Sequence, residues 1–229
     1  MPSRSVSVQA VIFDCDGVLV DSEPPANRVL SEILAEHGVV MSHAECRAAF
    51  LGLNPRGVAD RLMELKGVNV TAPLIEQGSK RFVELLAKEG LPALPGVVEM
   101  LDDLAERRML VAVASNSQIE ELLFKLKLSG LHARFSRHAY SADALGKPKP
   151  DPGVYLHAAE MLGVEPAACV VVEDSPTGVF AGVRAGMRVL GFLGTHEDPQ
   201  HAQTLRGAGA ATLFSHMREL PSLLTRYAG

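Results

Sequence analysis

Nowhere in the 229 residues is there a dense run of lysine and arginine, and the formal net charge is −5. The broad positive field that a nucleic-acid backbone or an anionic membrane surface requires is missing, so both are set aside as partners. No stretch approaches the ~18–20 uninterrupted apolar residues of a membrane span, since even the apolar run around Val170 is closed by Glu173 and Asp174. Met1 to Gln9 is polar and leads into the first apolar run without the roughly 7–15-residue hydrophobic stretch of an export signal. A cytoplasmic location is expected. The three cysteines, Cys15, Cys46 and Cys169, are odd in number and lack paired spacing, which speaks for structural thiols and against a disulfide framework. The eight histidines show no metal-binding spacing. No repeat at a solenoid period is present.

What is present is a globular composition, 47% hydrophobic and 21% charged. Val8 to Phe13 is a short apolar run ending in acids and glycine, the pattern of a buried parallel strand opening into a loop. Leu110 to Ala114 ends likewise in Ser115-Asn116, Cys169 to Val172 in Glu173-Asp174, and Met187 to Phe192 in Gly194-Thr195. Helical patterns at Val97 to Arg107, Ile119 to Leu128, Gly153 to Leu162 and Gly178 to Ala185 alternate with these strands. The alternation predicts an α/β fold, a Rossmann-like parallel sheet with helices on both faces. Polar groups at the strands' carboxyl ends would converge on one crevice.

From about Pro24 to Leu91 the alternation breaks. Helical patterns at Pro25 to His37, Ser42 to Phe50, Arg56 to Lys66 and Pro73 to Lys88 occur without a convincing strand. Residues 21–92 are therefore expected to form an all-helical insertion, and residues 1–20 with 93–229 the α/β core. Gly178, Gly182 and Gly186 recur every four residues and suggest a helix lying close to the sheet, since no nucleotide fingerprint surrounds them. RGAGA at 206–210 reads as a loop.

Asp14-Cys15-Asp16-Gly17 sets two carboxylates two apart at a strand end, before a glycine that permits a sharp turn or close approach. Such a pair invites a metal or a shared proton, and taken alone it is equally a solvated Asx turn. Lys147 and Glu173, taken singly, read as ordinary exposed residues. Their company changes the reading. FDCDGVLVDS, VAVASNS, GKPKPDP and VVEDSPTGV, in this order, resemble the signature motifs of the haloacid dehalogenase superfamily, in its β-phosphoglucomutase-like branch of sugar-phosphate phosphatases. The resemblance runs from about Val8 to Phe192.

That resemblance implies Asp14 as the nucleophile and Asp16 as the acid/base of a phosphatase working through an aspartyl phosphate. It implies Mg²⁺ as cofactor, held by Asp14, Asp174 and the backbone carbonyl of Asp16, with Glu173 supporting the metal from behind. A dianionic phosphate approaches several carboxylates only if a hard cation intervenes, and oxygen ligands suit Mg²⁺. Lys147 would offset the remaining charge; Ser115 would hold phosphoryl oxygens, with Asn116 beside it. The helical insertion would act as a cap that gates access. Asn54 and Arg56 are its candidate substrate contacts, with Lys80 and Arg81 as further ones.

The expected partner is a small phosphorylated metabolite: a sugar, polyol or sugar-acid phosphate. A monomer is expected, with a weak dimer as the alternative. Two other functions stand beside the phosphatase. One is a β-phosphoglucomutase-type phosphomutase, although Pro55 displaces Arg56 from the place an arginine takes in the mutases. The other is a non-catalytic phospho-ligand-binding module.

Overall fold

A strand covered on both faces carries apolar residues at every position, and β1 (Ala10–Phe13) is buried throughout. The computed structural model describes residues 7–50, 55–69, 71–135, 137–194 and 199–227. After β1 come α1 (Glu23–Glu36), α2 (His43–Phe50), α3 (Pro55–Lys66) and α4 (Ala72–Glu89), and no strand intervenes among the described residues. The chain then continues with α5 (Val97–Glu106), β2 (Leu110–Ser115), α6 (Ile119–Leu128), α7 (His132–Phe135), β3 (Ala139–Ser141), α8 (Gly153–Leu162), β4 (Cys169–Glu173), α9 (Pro176–Arg184), β5 (Arg188–Phe192), α10 (Pro199–Ala208), β6 (Thr212–Phe214) and α11 (Leu220–Thr225).

Two compact units result: Met1–Val20 with Pro92–Gly229, and Asp21–Leu91. In the first, six parallel strands lie in the order β3-β2-β1-β4-β5-β6. The chain turns outward in both directions from β1, and at such a switch point the carboxyl ends of neighbouring strands leave a crevice. Successive side chains of a strand point to opposite faces. Ala10, Ile12, Ala112, Ala114, Cys169, Val171 and Val189 accordingly pack into one cluster with Val154, Tyr155 and Ala158 of α8 and Val179 and Ala181 of α9. Phe13 belongs to the opposite set and meets Phe135 of α7 edge-on, ring centroids 6.2 Å apart. Helices cover both faces.

In the second unit, Leu34, Met41, Cys46, Phe50 and Leu62 form a separate core. Arg81 of α4 grips Glu36 of α1 through two bonds of 2.7 and 3.0 Å, so this basic residue is committed to a structural pair. No described helix is long and apolar enough to cross a membrane. All three cysteines are buried free thiols.

Three expectations are corrected. Arg206 to Ala208 belong to α10, because burial of Leu205 and Ala208 against the core holds the helix across Gly207. Gly186 is a turn residue with φ +75° where a Cβ would meet nothing within 4 Å, not a packing contact. The short edge strands β3 and β6 were not expected, and α9 begins at Pro176 rather than Gly178, capped by the Ser175 hydroxyl, which accepts from the Gly178 amide at 3.1 Å.

Gly182 does press its helix onto the sheet: a Cβ there would stand 2.7 Å from Val189 Cγ2 and 3.4 Å from Val171. Gly182→Ala is expected to cost about 1–3 kcal/mol by overpacking, a fall in Tm of roughly 2–12 °C for a domain of this size. Thermal unfolding that matches the native protein would remove this contact from the account of the fold.

Candidate active site

Asp14 is the first residue beyond β1, and its amide donates to Val172 O of β4 at 3.0 Å. Ser115 closes β2 and Glu173 closes β4, the two strands flanking β1, so three polar ends meet at the switch point. The chain leaves β1 in a tight loop. The Leu19 and Val20 amides donate to Cys15 O, and the Gly17 amide donates to Val20 O at 2.8 Å. Gly17 is required there twice over: its φ is +77°, and a Cβ would lie 1.9 Å from Asp174 Oδ2.

The cation of the site is Lys149, not Lys147. Lys149 is buried, and its Nζ donates to Asp14 Oδ1 at 2.6 Å, Glu173 Oε1 at 2.7 Å and Ala114 O at 2.9 Å. That satisfies all three protons of an ammonium. Lys147 is exposed, two residues away along the loop, and its chain lies over Gly153. The reason for the correction is local. Gly146-Lys147-Pro148-Lys149-Pro150 contains two Lys-Pro pairs, and the Asn116 side-chain oxygen accepts from the Lys149 amide at 2.9 Å, drawing the second pair inward. Asn116 therefore holds the lysine loop.

Glu173 is fully buried and accepts at both oxygens. Lys149 and the Tyr155 hydroxyl donate to Oε1 at 2.7 Å each, while the amides of Asp174 and Ser175 and the Ser175 hydroxyl donate to Oε2 at 3.0–3.1 Å. Burial pushes the Tyr155 hydroxyl up well above its usual range, with Glu173 adding to it, so Tyr155 remains a donor. Burial is also the main cause that pushes Asp14 up to about 7; Glu173 and Asp16 add to it and Lys149 opposes it. On Lys149 burial disfavours the charge, but Asp14 and Glu173 outweigh it and hold the ammonium well above its usual range.

Asp14, Glu173 and Asp174 each offer a carboxylate oxygen, all within 4.8 Å of one another. An all-oxygen set of this kind suits a hard divalent cation. Since Glu173 is already fully engaged by five donors, Asp14 and Asp174 are the pair suited to direct ligation. Asp16 points its carboxylate elsewhere: Lys125 Nζ donates to Oδ1 at 2.7 Å, and the hydroxyls of Ser117 and Ser115 lie 3.2 and 3.4 Å from Oδ2. Lys125, Ser117 and Tyr155 were not foreseen from sequence. Of the cap candidates, Asn54 lies outside the described residues, Arg56 falls in the first turn of α3 with a side chain that is also outside them, and Lys80 is exposed on α4.

A haloacid dehalogenase-like hydrolase model matches residues 8–186. Hexitol phosphatase B of Escherichia coli (strain K12) is 37% identical over 183 residues, 79% of this chain and 82% of that protein. The 6-phosphogluconate phosphatase of the same strain is 29% identical over 216 residues, 94% of each. Among solved structures, a conserved haloacid dehalogenase-like protein from Agrobacterium tumefaciens str. C58 superposes with a TM-score of 0.83 at 36% identity, covering 97% of this chain and all of that one.

The two lysines of the loop separate cleanly by stability. Lys149→Met strands two buried carboxylates and is expected to cost about 3–5 kcal/mol, whereas Lys147→Met, at an exposed position, is expected to stay within about 0.5 kcal/mol. Denaturant unfolding of both variants reads the difference; equal losses would contradict the placement of Lys149.

Proposed function

Because this chain belongs to the haloacid dehalogenase-like hydrolases, we propose that it is a Mg²⁺-assisted phosphatase of a small phosphorylated sugar, polyol or sugar acid, acting through an aspartyl phosphate on Asp14. The observation that carries this reading is one cluster: a buried Asp14 bonded to Lys149 and lying with Asp174 and Glu173 inside a 4.8 Å acidic group at the sheet's switch point. The substrate class is supported by the names of the relatives, a hexitol phosphatase and a 6-phosphogluconate phosphatase.

In this reading an Asp14 oxygen attacks phosphorus as the bond from phosphorus to the substrate oxygen breaks, and Asp16 delivers a proton to the departing alkoxide. Asp16, now a carboxylate, takes a proton from water as that water attacks the aspartyl phosphate; the bond from phosphorus to Asp14 breaks and inorganic phosphate leaves. Splitting one difficult displacement into two is the gain from the covalent nucleophile. Asp14, Asp174 and the Asp16 carbonyl would hold Mg²⁺, whose charge offsets that of the transferring phosphoryl group when bound. Lys149 adds fixed positive charge at the same point. The Ser115 hydroxyl and the amide that follows it donate to phosphoryl oxygens. Glu173 keeps Lys149 and the start of α9 in place.

Phosphate release from a panel of sugar, polyol and sugar-acid phosphates is expected to require both Mg²⁺ and Asp14. Chelation should reduce it to background, and Asp14→Asn should lower it by at least about 10³-fold, as loss of a covalent nucleophile does. Activity retained by Asp14→Asn would remove Asp14 from its role, and isomerised product without phosphate release would replace the hydrolase with a mutase.

A further inference from the structure

Lys125 is an expensive residue for a helix to bury. Its side chain is 3% exposed, between Leu122 and Leu126, which already fill the apolar face of α6. A hydrophobic residue would pack there without the several kcal/mol that desolvating an ammonium costs. The charge therefore serves what it touches. Its Nζ lies 2.7 Å from Asp16 Oδ1, 2.7 Å from Glu121 Oε1 one helical turn back, and 2.8 Å from Ser117 Oγ. Asp16 stands on the loop beyond β1 with 29% of its side chain exposed, where a carboxylate would otherwise rotate among rotamers.

We infer that Lys125, anchored by Glu121, is a positioning residue that fixes the Asp16 carboxylate for proton delivery to the leaving group; this rests on the hydrolase reading above. With Oδ1 held by the ammonium and Oδ2 accepting from the Ser117 and Ser115 hydroxyls, the carboxylate is fixed at both oxygens. Glu121 gives Lys125 a second partner on its own helix, so the ammonium stays in place as Asp16 engages substrate. Ser117 joins the two halves, since its hydroxyl lies within bonding distance of Asp16, Glu121 and Lys125.

A role in aiming Asp16 separates from a merely structural one by leaving group. An alkoxide needs the proton, whereas 4-nitrophenolate leaves without it. The test is the first-turnover release of alcohol from a hexitol 6-phosphate and from 4-nitrophenyl phosphate, with Mg²⁺, for the native protein, Lys125→Met, Glu121→Gln and Asp16→Asn. First-turnover rates isolate leaving-group departure from the later hydrolysis of the intermediate.

Lys125→Met is expected to slow the hexitol phosphate roughly 10–100-fold and the aryl phosphate less than about 3-fold, with KM for both within about 3-fold, the scale set by misplacing a general acid. Glu121→Gln, which keeps the ammonium, is expected to follow in the same direction by roughly 3–10-fold, and carries the test alone if Lys125→Met does not fold. Equal losses on both substrates, no loss on either, or a loss confined to KM would overturn the positioning role. Asp16→Asn with no leaving-group dependence would overturn it while leaving the hydrolase standing. No release by the native protein from these two compounds or from any sugar, polyol or sugar-acid phosphate of the panel would instead sink the hydrolase reading, and the inference with it.

Discussion

The contact on which the rest of the site depends is the Lys149 ammonium held between Asp14 and Glu173. Two carboxylates at the ends of adjacent parallel strands repel each other, and burial sharpens that repulsion by removing the water that would screen it. A single cation with bonds of 2.6 and 2.7 Å allows β1 and β4 to run side by side to their acidic ends. Everything else nearby serves to keep that lysine where it is. Asn116 accepts from its backbone amide, Ala114 accepts its third proton, and Tyr155 lies under it with the ring centroid 4.9 Å from Nζ.

Glu173 extends this constraint into the fold. Its second oxygen collects the amides that open the turn into α9, and the same carboxylate leaves no room for a side chain at Gly178, where a Cβ would stand 1.7 Å from Oε1. Gly182 then seats the following turn against Val189. Gly178 and Gly182, at four-residue spacing, thus answer to two different neighbours, one the Glu173 carboxylate and one the sheet. Charge placement and helix packing are the same problem at this corner of the molecule.

Much of this was legible in the sequence. The four central strands declare themselves as apolar runs because both faces are covered, and the acids after β1 and β4 sit where such runs stop. The edge strands β3 and β6 were missed because they have three residues each and are only partly buried, so neither their length nor their composition departs from a loop. Lys149 was missed for a different reason: the tandem Lys-Pro pairs present two equivalent candidates, and only the fold, through Asn116, decides which turns inward. Lys125 was missed because a helical lysine is usually solvated. Its position did carry a signal, since 122, 125 and 126 fall on one stripe of a helix and the other two are leucine.

The two buried lysines also bear on the divalent cation proposed for the site. Lys149 serves Asp14 and Glu173, Lys125 serves Asp16 and Glu121, and Asp174 adds a further acid beside Gly17. Each ammonium is thus outnumbered by the carboxylates it faces, while burial is the main cause that raises Asp14, with Glu173 and Asp16 adding to it. A phosphate dianion meets net negative charge on entering, a barrier that fixed lysines sharing themselves among acids do not remove. A divalent ion on Asp14 and Asp174 would do so at the point of attack, where Glu173 and Lys149 already hold the geometry. Asp16 is kept apart from them by its own lysine. The division of four acids between two ammonium groups, with Asp174 beside Gly17, keeps the carboxylates of Asp14 and Asp16 on separate partners although they are only two apart in the chain.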